Sequence, residues 1–188
     1  HQAETMHQED ETVTVGEGGD FNTINEAITY FSRKTPEHKE NGLKAEIKLL
    51  SGFVMEEQVF VEGIDLGWVT ITSEDEVVNI NPDSLTRTYS RDIYALEYKP
   101  AFGAFMNGIL PVIGALFDMQ YSQEDEKVDG QTGIMVIENS RATVLDGCGV
   151  MNAGWNGIQA MGASTVDARG SIFSGAGVSG IFASYGST

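Results

Sequence analysis

Apolar residues in this chain come in short runs that Gly, Ser, Asn or Asp interrupt every few positions. In the last third the runs are 134–137, 142–145, 158–161 and 172–173. None sustains the i, i+3, i+4 spacing of an amphipathic helix, and short β-branched runs between turn residues predict short strands. A Gly-Ile step recurs at Gly133-Ile134, Gly157-Ile158 and Gly180-Ile181, at intervals of 24 and 23 residues. The intervening texture recurs as well. Ala142-Thr143-Val144 precedes Gly149-Val150-Met151-Asn152-Ala153-Gly154, and Ser164-Thr165-Val166 precedes Gly170-Ser171-Ile172-Phe173-Ser174-Gly175. A period of this size marks one supersecondary unit stacked on copies of itself.

Leucines at fixed offsets with an Asn or Cys ladder are absent, which argues against a leucine-rich repeat. The expected fold is all-β: a parallel β-helix with about three short strands per coil, each coil pairing its backbone with the next. The alternative is an ordinary Gly-rich β-sandwich. Upstream, strands are expected at 13–15, 45–50, 59–61, 68–72 and 77–80, with a turn at 16–20. Asn22 or Thr23 caps a helix reaching about Ser32, with Ile24, Ala27, Ile28 and Phe31 on one face, and Thr23 with Glu26 fits a capping box. Residues 34–41 read as a charged loop, and 87–99 as an edge strand or an excursion.

Residues 100–117 carry no charge over 18 positions, the minimum for a membrane-spanning helix. Pro100, Pro111, three glycines and the tight-turn pair Asn107-Gly108 break that run, so two short buried strands around a turn fit better. The chain divides into a flexible leader or linker (1–11), a cap with first coils (12–99) and regular coils (100–188) that end mid-repeat. The polar start at His1 without an initiator Met and the coil-like 184–188 both point to a piece of a longer protein.

Net charge is −17, with 28 Asp and Glu against 11 Lys and Arg, and 20 of the acids lie in residues 1–99. Such a surface offers no basic patch for nucleic acid. The single cysteine, Cys148, reads as a buried structural thiol, since all three histidines (His1, His7, His38) are distant in sequence. The acidic run Glu124-Asp125-Glu126 lacks the alternating oxygen-ligand spacing of a calcium loop, so no metal and no cofactor are expected.

The phrase Val15-Gly16-x-Gly18-Gly19-Asp20-Phe21-x-Thr23-Ile24-x-x-Ala27-Ile28 resembles the opening of right-handed parallel β-helix proteins. Pectinesterases, pectate-lyase-like proteins and many bacteriophage tailspikes share it. In them a strand, the Gly-Gly-Asp-Phe turn and a short helix cap the N-terminal end of the solenoid. Residues 46–57 resemble their first coil and 60–71 their second. The resemblance covers 13–72 by motif and 133–188 by repeat texture, and it implies a right-handed parallel β-helix with a short N-terminal capping helix. The phrases 140–144 and 149–154, with the Ala/Gly/Ser-rich coils after them, are most similar to the shaft of a phage tailspike or tail fibre. That implies a homotrimer on the virion, outside the cell, joined to other tail proteins, binding and often cleaving bacterial surface polysaccharide (capsule or O-antigen) without membrane insertion. A polysaccharide depolymerase and a bacterial cell-surface β-helix adhesin are the alternatives. The Asp-Phe-Ile-Phe-Gly phrase of pectinesterases and the paired aspartates with following Arg of pectate lyases do not occur, so their activities do not carry over.

Glycan hydrolysis requires two carboxylates about 5–5.5 Å or roughly 6.5–9.5 Å apart. Asp146 and Asp167, 21 residues apart on adjacent coils, are the candidate pair, with Glu138 one strand earlier. The alternative is that they are polar corner residues facing water. Trp155 at a corner is a candidate sugar-stacking platform, extended by Tyr185 on a later coil; alternatively Trp155 packs on a neighbouring subunit or loop.

Overall fold

The computed structural model of the chain describes residues 9–89 and 97–188. Its elements run β1 (Glu11–Val15), α1 (Ile24–Ser32), α2 (Thr35–Asn41), β2 (Ala45–Leu49), β3 (Val54–Met55), β4 (Val59–Glu62), β5 (Val69–Ser73), β6 (Val78–Ile80), a 3-10 turn (Pro82–Ser84), β7 (Lys99–Phe105), β8 (Val112–Gly114), β9 (Leu116–Asp118), β10 (Gln131–Val136), β11 (Arg141–Thr143), β12 (Gly149–Met151), β13 (Asn156–Ala160), β14 (Thr165–Asp167) and β15 (Ser179–Ala183). The expected strands are present. The expected leader falls largely on residues 1–8, outside the described residues, while Glu11 already pairs with Ala45. The uncharged 100–117 stretch forms β7, a turn, β8 and most of β9, and among the described residues no helix is long and apolar enough to cross a membrane.

The result is a mainly-β fold of parallel sheets. One sheet has the order β1-β2-β5-β8, a second β3-β6-β9-β12, and a third β4-β7-β10-β13-β15. The pair β11-β14 extends the first sheet through a bridge between Ile113 and Val144. From β2 to β14 the chain visits the first, second and third sheets in rotation and lands each time beside its previous pass. The register aligns like with like: Ile47, Ile71 and Ile113 form one inward row, and Val59, Phe102, Ile134, Ile158 and Ile181 another. Except for Ile181, these side chains are at most 1 % exposed. Each fully buried one contributes roughly 1.5–3 kcal/mol.

The Gly-Ile step has a steric cause. A Cβ on Gly157 would sit 2.6 Å from the Gly180 carbonyl oxygen, and one on Gly133 would collide with the Gly157 carbonyl oxygen. Each glycine lets the next coil approach closely just before the inward isoleucine. At the opposite end of the third sheet, Met106-Asn107, Glu138-Asn139, Gly162-Ala163 and Tyr185-Gly186 form stacked left-handed corners, with φ between 51° and 77°. Non-glycine residues in this region cost about 1–2 kcal/mol each. The corners are held by inter-coil bonds, among them Asn107 N–H to the Glu138 carbonyl (3.0 Å) and Asn139 N–H to the Gly162 carbonyl (2.9 Å). One step later a serine ladder runs through the core. Gly108 N–H donates to Ser140 Oγ (3.1 Å), Ser140 N–H to Ser164 Oγ (3.1 Å) and Ser164 N–H to Ser187 Oγ (3.0 Å).

Helix α1 covers the β1 end. Ile24, Ala27, Ile28 and Phe31 are buried against β1 and β2, and Thr23 Oγ1 accepts from Glu26 N–H (3.2 Å). The turn before it is set by Asp20, whose carboxylate accepts from the backbone N–H and the hydroxyl of Thr14 (2.9 and 3.1 Å). Residues 34–41 correct the sequence reading: most of the expected charged loop is α2. Pro36 opens it, Gly42 closes it at φ 63°, and His38 stacks on Trp68 at 5.0 Å. Trp68 itself is core.

Candidate functional site

The third sheet is covered on both faces. Its outer face carries Tyr98, Phe105, Met135, Ile137 and Met161, with Phe60, Tyr89 and Trp155 against them. Tyr89 stacks on Phe105 at 3.9 Å, and Tyr89 and Tyr98 form an antiparallel bridge. The bridge lies within the 87–99 segment expected to be an edge strand or an excursion; residues 90–96 of it lie outside the described residues.

Along the inward row, Val59 to Phe102 spans 43 residues and Phe102 to Ile134 spans 32, against 24 and 23 further on. The extra residues lie before β7 and before β10. The described parts of these two insertions meet at a pocket of about 350 Å³ lined by Glu97, Tyr98, Lys99, Asp129, Gly130 and Trp155. Gly130 (φ 80°) makes the meeting possible, because a Cβ there would lie 2.5 Å from the Glu97 carbonyl oxygen, and Lys99 N–H donates to the Gly130 carbonyl (2.6 Å).

The strands fix the pocket from beneath. Trp155 is half-buried, its backbone N–H donates to the Gln131 carbonyl (2.8 Å), and its own carbonyl accepts from the backbone N–H of Val178 (2.9 Å). Lys127 Nζ lies 5.2 Å from the centre of the indole, a cation–π contact that steadies the ring. Below, Thr132 Oγ1 and Asn156 Nδ2 both donate to Gln159 Oε1 (3.2 and 3.0 Å). Gln159 Nε2 and Asn156 Oδ1 are buried and make no well-formed hydrogen bond among the described residues. Burial pushes the Tyr98 phenol up; the neighbouring Gln159 amide opposes this, and Tyr185 adds to it. Of the two expected sugar-stacking residues, Trp155 is in the pocket wall, whereas Tyr185 is at a left-handed corner, 66 % exposed and not part of that wall.

The candidate carboxylates are not brought together as the sequence alignment expected. Asp167 is in register with Thr143, and Asp146 lies directly over Gly170, so the two are offset by three positions. Asp167 accepts from Arg169 Nε and Nη2 (3.0 and 2.8 Å), and these bonds hold its carboxyl below the usual range, the opposite of what a general acid requires. Glu138 sits at a corner on the outer face, where the Tyr89 hydroxyl donates to it. Cys148 is half-buried rather than buried. Desolvation, then the charge of Asp146, pushes its thiol up, so it is not an activated nucleophile. Among the described residues no group of three or more His, Cys, Asp or Glu is placed to hold a metal ion.

Sequence reading missed Glu97, Tyr98, Lys99, Asp129 and Gly130. The usable signal was the lengthening of the repeat, since insertions in a repeat array map to loops on one face, often the binding face. No protein-family model matches the chain, and no curated protein matches it.

Proposed function

We propose that the chain is a right-handed parallel β-helix forming the shaft of a phage tail receptor-binding protein, a homotrimer on the virion that binds bacterial surface polysaccharide. The handedness follows from the strong right-handed preference of parallel crossovers. The observation that carries the binding reading is the Trp155–Tyr98 pocket where the two insertions meet. Aromatic faces stack on the C–H faces of pyranoses, and the flanking Glu97, Asp129 and Lys99 supply hydrogen-bonding groups for hydroxyls. Binding is favoured over cleavage because Asp146, Asp167 and Glu138 are offset or already engaged.

The test is titration of the chain with purified capsular and O-antigen polysaccharides while following tryptophan fluorescence. Of the two tryptophans, Trp68 is buried, so a ligand-dependent change reports Trp155. A saturable change is the expected result, with an affinity by titration calorimetry that Trp155→Ala weakens at least tenfold and a sedimentation mass three times that of the 20.3 kDa chain. A monomer that binds no polysaccharide sinks the proposal.

A further inference from the structure

The pocket has a chemical bias beyond sugar binding. Among the described residues its wall holds two carboxylates, Glu97 and Asp129, against one ammonium, Lys99. The insertion that supplies Asp129 also carries Glu124, Asp125 and Glu126, and its one cation, Lys127, is placed over the Trp155 ring. Among the described residues none that lines the pocket is an arginine, the side chain that grips a carboxylate or phosphate with two parallel hydrogen bonds. The whole chain adds a net charge of −17 to the same field. Carboxylates are good acceptors for sugar hydroxyls and repel anionic substituents, and the repulsion acts over the Debye length of about 10 Å at 0.1 M salt.

Building on the sugar-binding reading, we infer that this pocket selects an uncharged, hydroxyl-rich glycan and rejects uronate-bearing polymers. The acids select by exclusion, while Trp155 and Tyr98 supply the attraction common to all pyranoses.

The probes are uronate-containing capsular polysaccharides and the same polymers after carboxyl reduction, which keeps the linkage and turns each uronate into a neutral hexose. Binding is measured by titration calorimetry at 20 and 300 mM salt, with the wild-type chain and with the double variant Glu97→Gln, Asp129→Asn. The reduced form is expected to bind at least tenfold more tightly at low salt. That ratio is expected to shrink at high salt and in the double variant. Equal or tighter binding of the native acidic polymer overturns the selectivity and leaves the sugar reading standing. Failure of both forms, and of neutral O-antigen polysaccharide, overturns the sugar reading and the selectivity with it.

Discussion

Single residues set the spacing of this molecule. Gly157 stands where the next coil's carbonyl leaves no room for a methyl group, so Gly157→Ala must push apart β13 and β15 or tilt a peptide. The expected cost is about 1–3 kcal/mol, the range for overpacking, seen as a lower urea midpoint. A midpoint equal to wild type would show that the coils give way freely. Ser164 is a different case, since its hydroxyl is the acceptor for a buried N–H one coil earlier. Ser164→Ala strands that N–H of Ser140 and is expected to cost about 1–3 kcal/mol, whereas the change at exposed Thr165 next door should be near neutral. Comparing the two alanine variants by urea unfolding separates the ladder from a general loss of side-chain bulk. The Gly-Ile repeat was visible in the sequence because its cause repeats. The serine ladder, although it recurs at the same intervals, was hidden among serines that look like ordinary turn residues.

At the scale of elements, what was legible was whatever depends on neighbours in sequence. The alternation of 45–50, the β-branched 68–72 and the Thr23 cap all report local burial and local hydrogen bonds, and the structure has strands and a helix there. Helix α2 escaped because a short polar segment with no buried residue gives no periodic signal, and only Pro36 and Gly42 mark its ends. The second cap of α1 escaped because it is not local: Glu57, more than thirty residues on, accepts from the N–H groups of Ile24 and Asn25 at 2.9 and 2.7 Å. Burial of this carboxylate pushes its pKa up, and nearby Glu26 adds to the rise, against the lowering by the backbone bonds and the Asn25 side chain. A carboxyl with a folded value above its unfolded one contributes most below the unfolded value, about 4.3, and that contribution is lost as pH rises through the folded value. The stability of wild type minus that of Glu57→Gln is therefore expected to grow between pH 7 and pH 4 in urea titrations. A difference that shrinks on acidification would mean that the helix-end hydrogen bonds outweigh burial. The candidate site was legible only in part: Trp155 and Tyr185 stood out as aromatics in Gly-rich coils, whereas Tyr98 and Asp129 join Trp155 only through the meeting of two insertions.

For the molecule as a whole, charge works against compactness. The chain carries 28 Asp and Glu against 11 Lys and Arg, a net charge of −17. A net charge far from zero weakens the compact state by self-repulsion, and salt screens that repulsion, with a Debye length of about 30 Å at 0.01 M and about 3 Å at 1 M. Urea midpoints measured at rising sodium chloride are therefore expected to rise. A midpoint that falls with salt would mean that local ion pairs such as Lys34–Glu11 outweigh the repulsion between the acids. A midpoint that does not move would mean that the acids stand too far apart for their repulsion to cost stability.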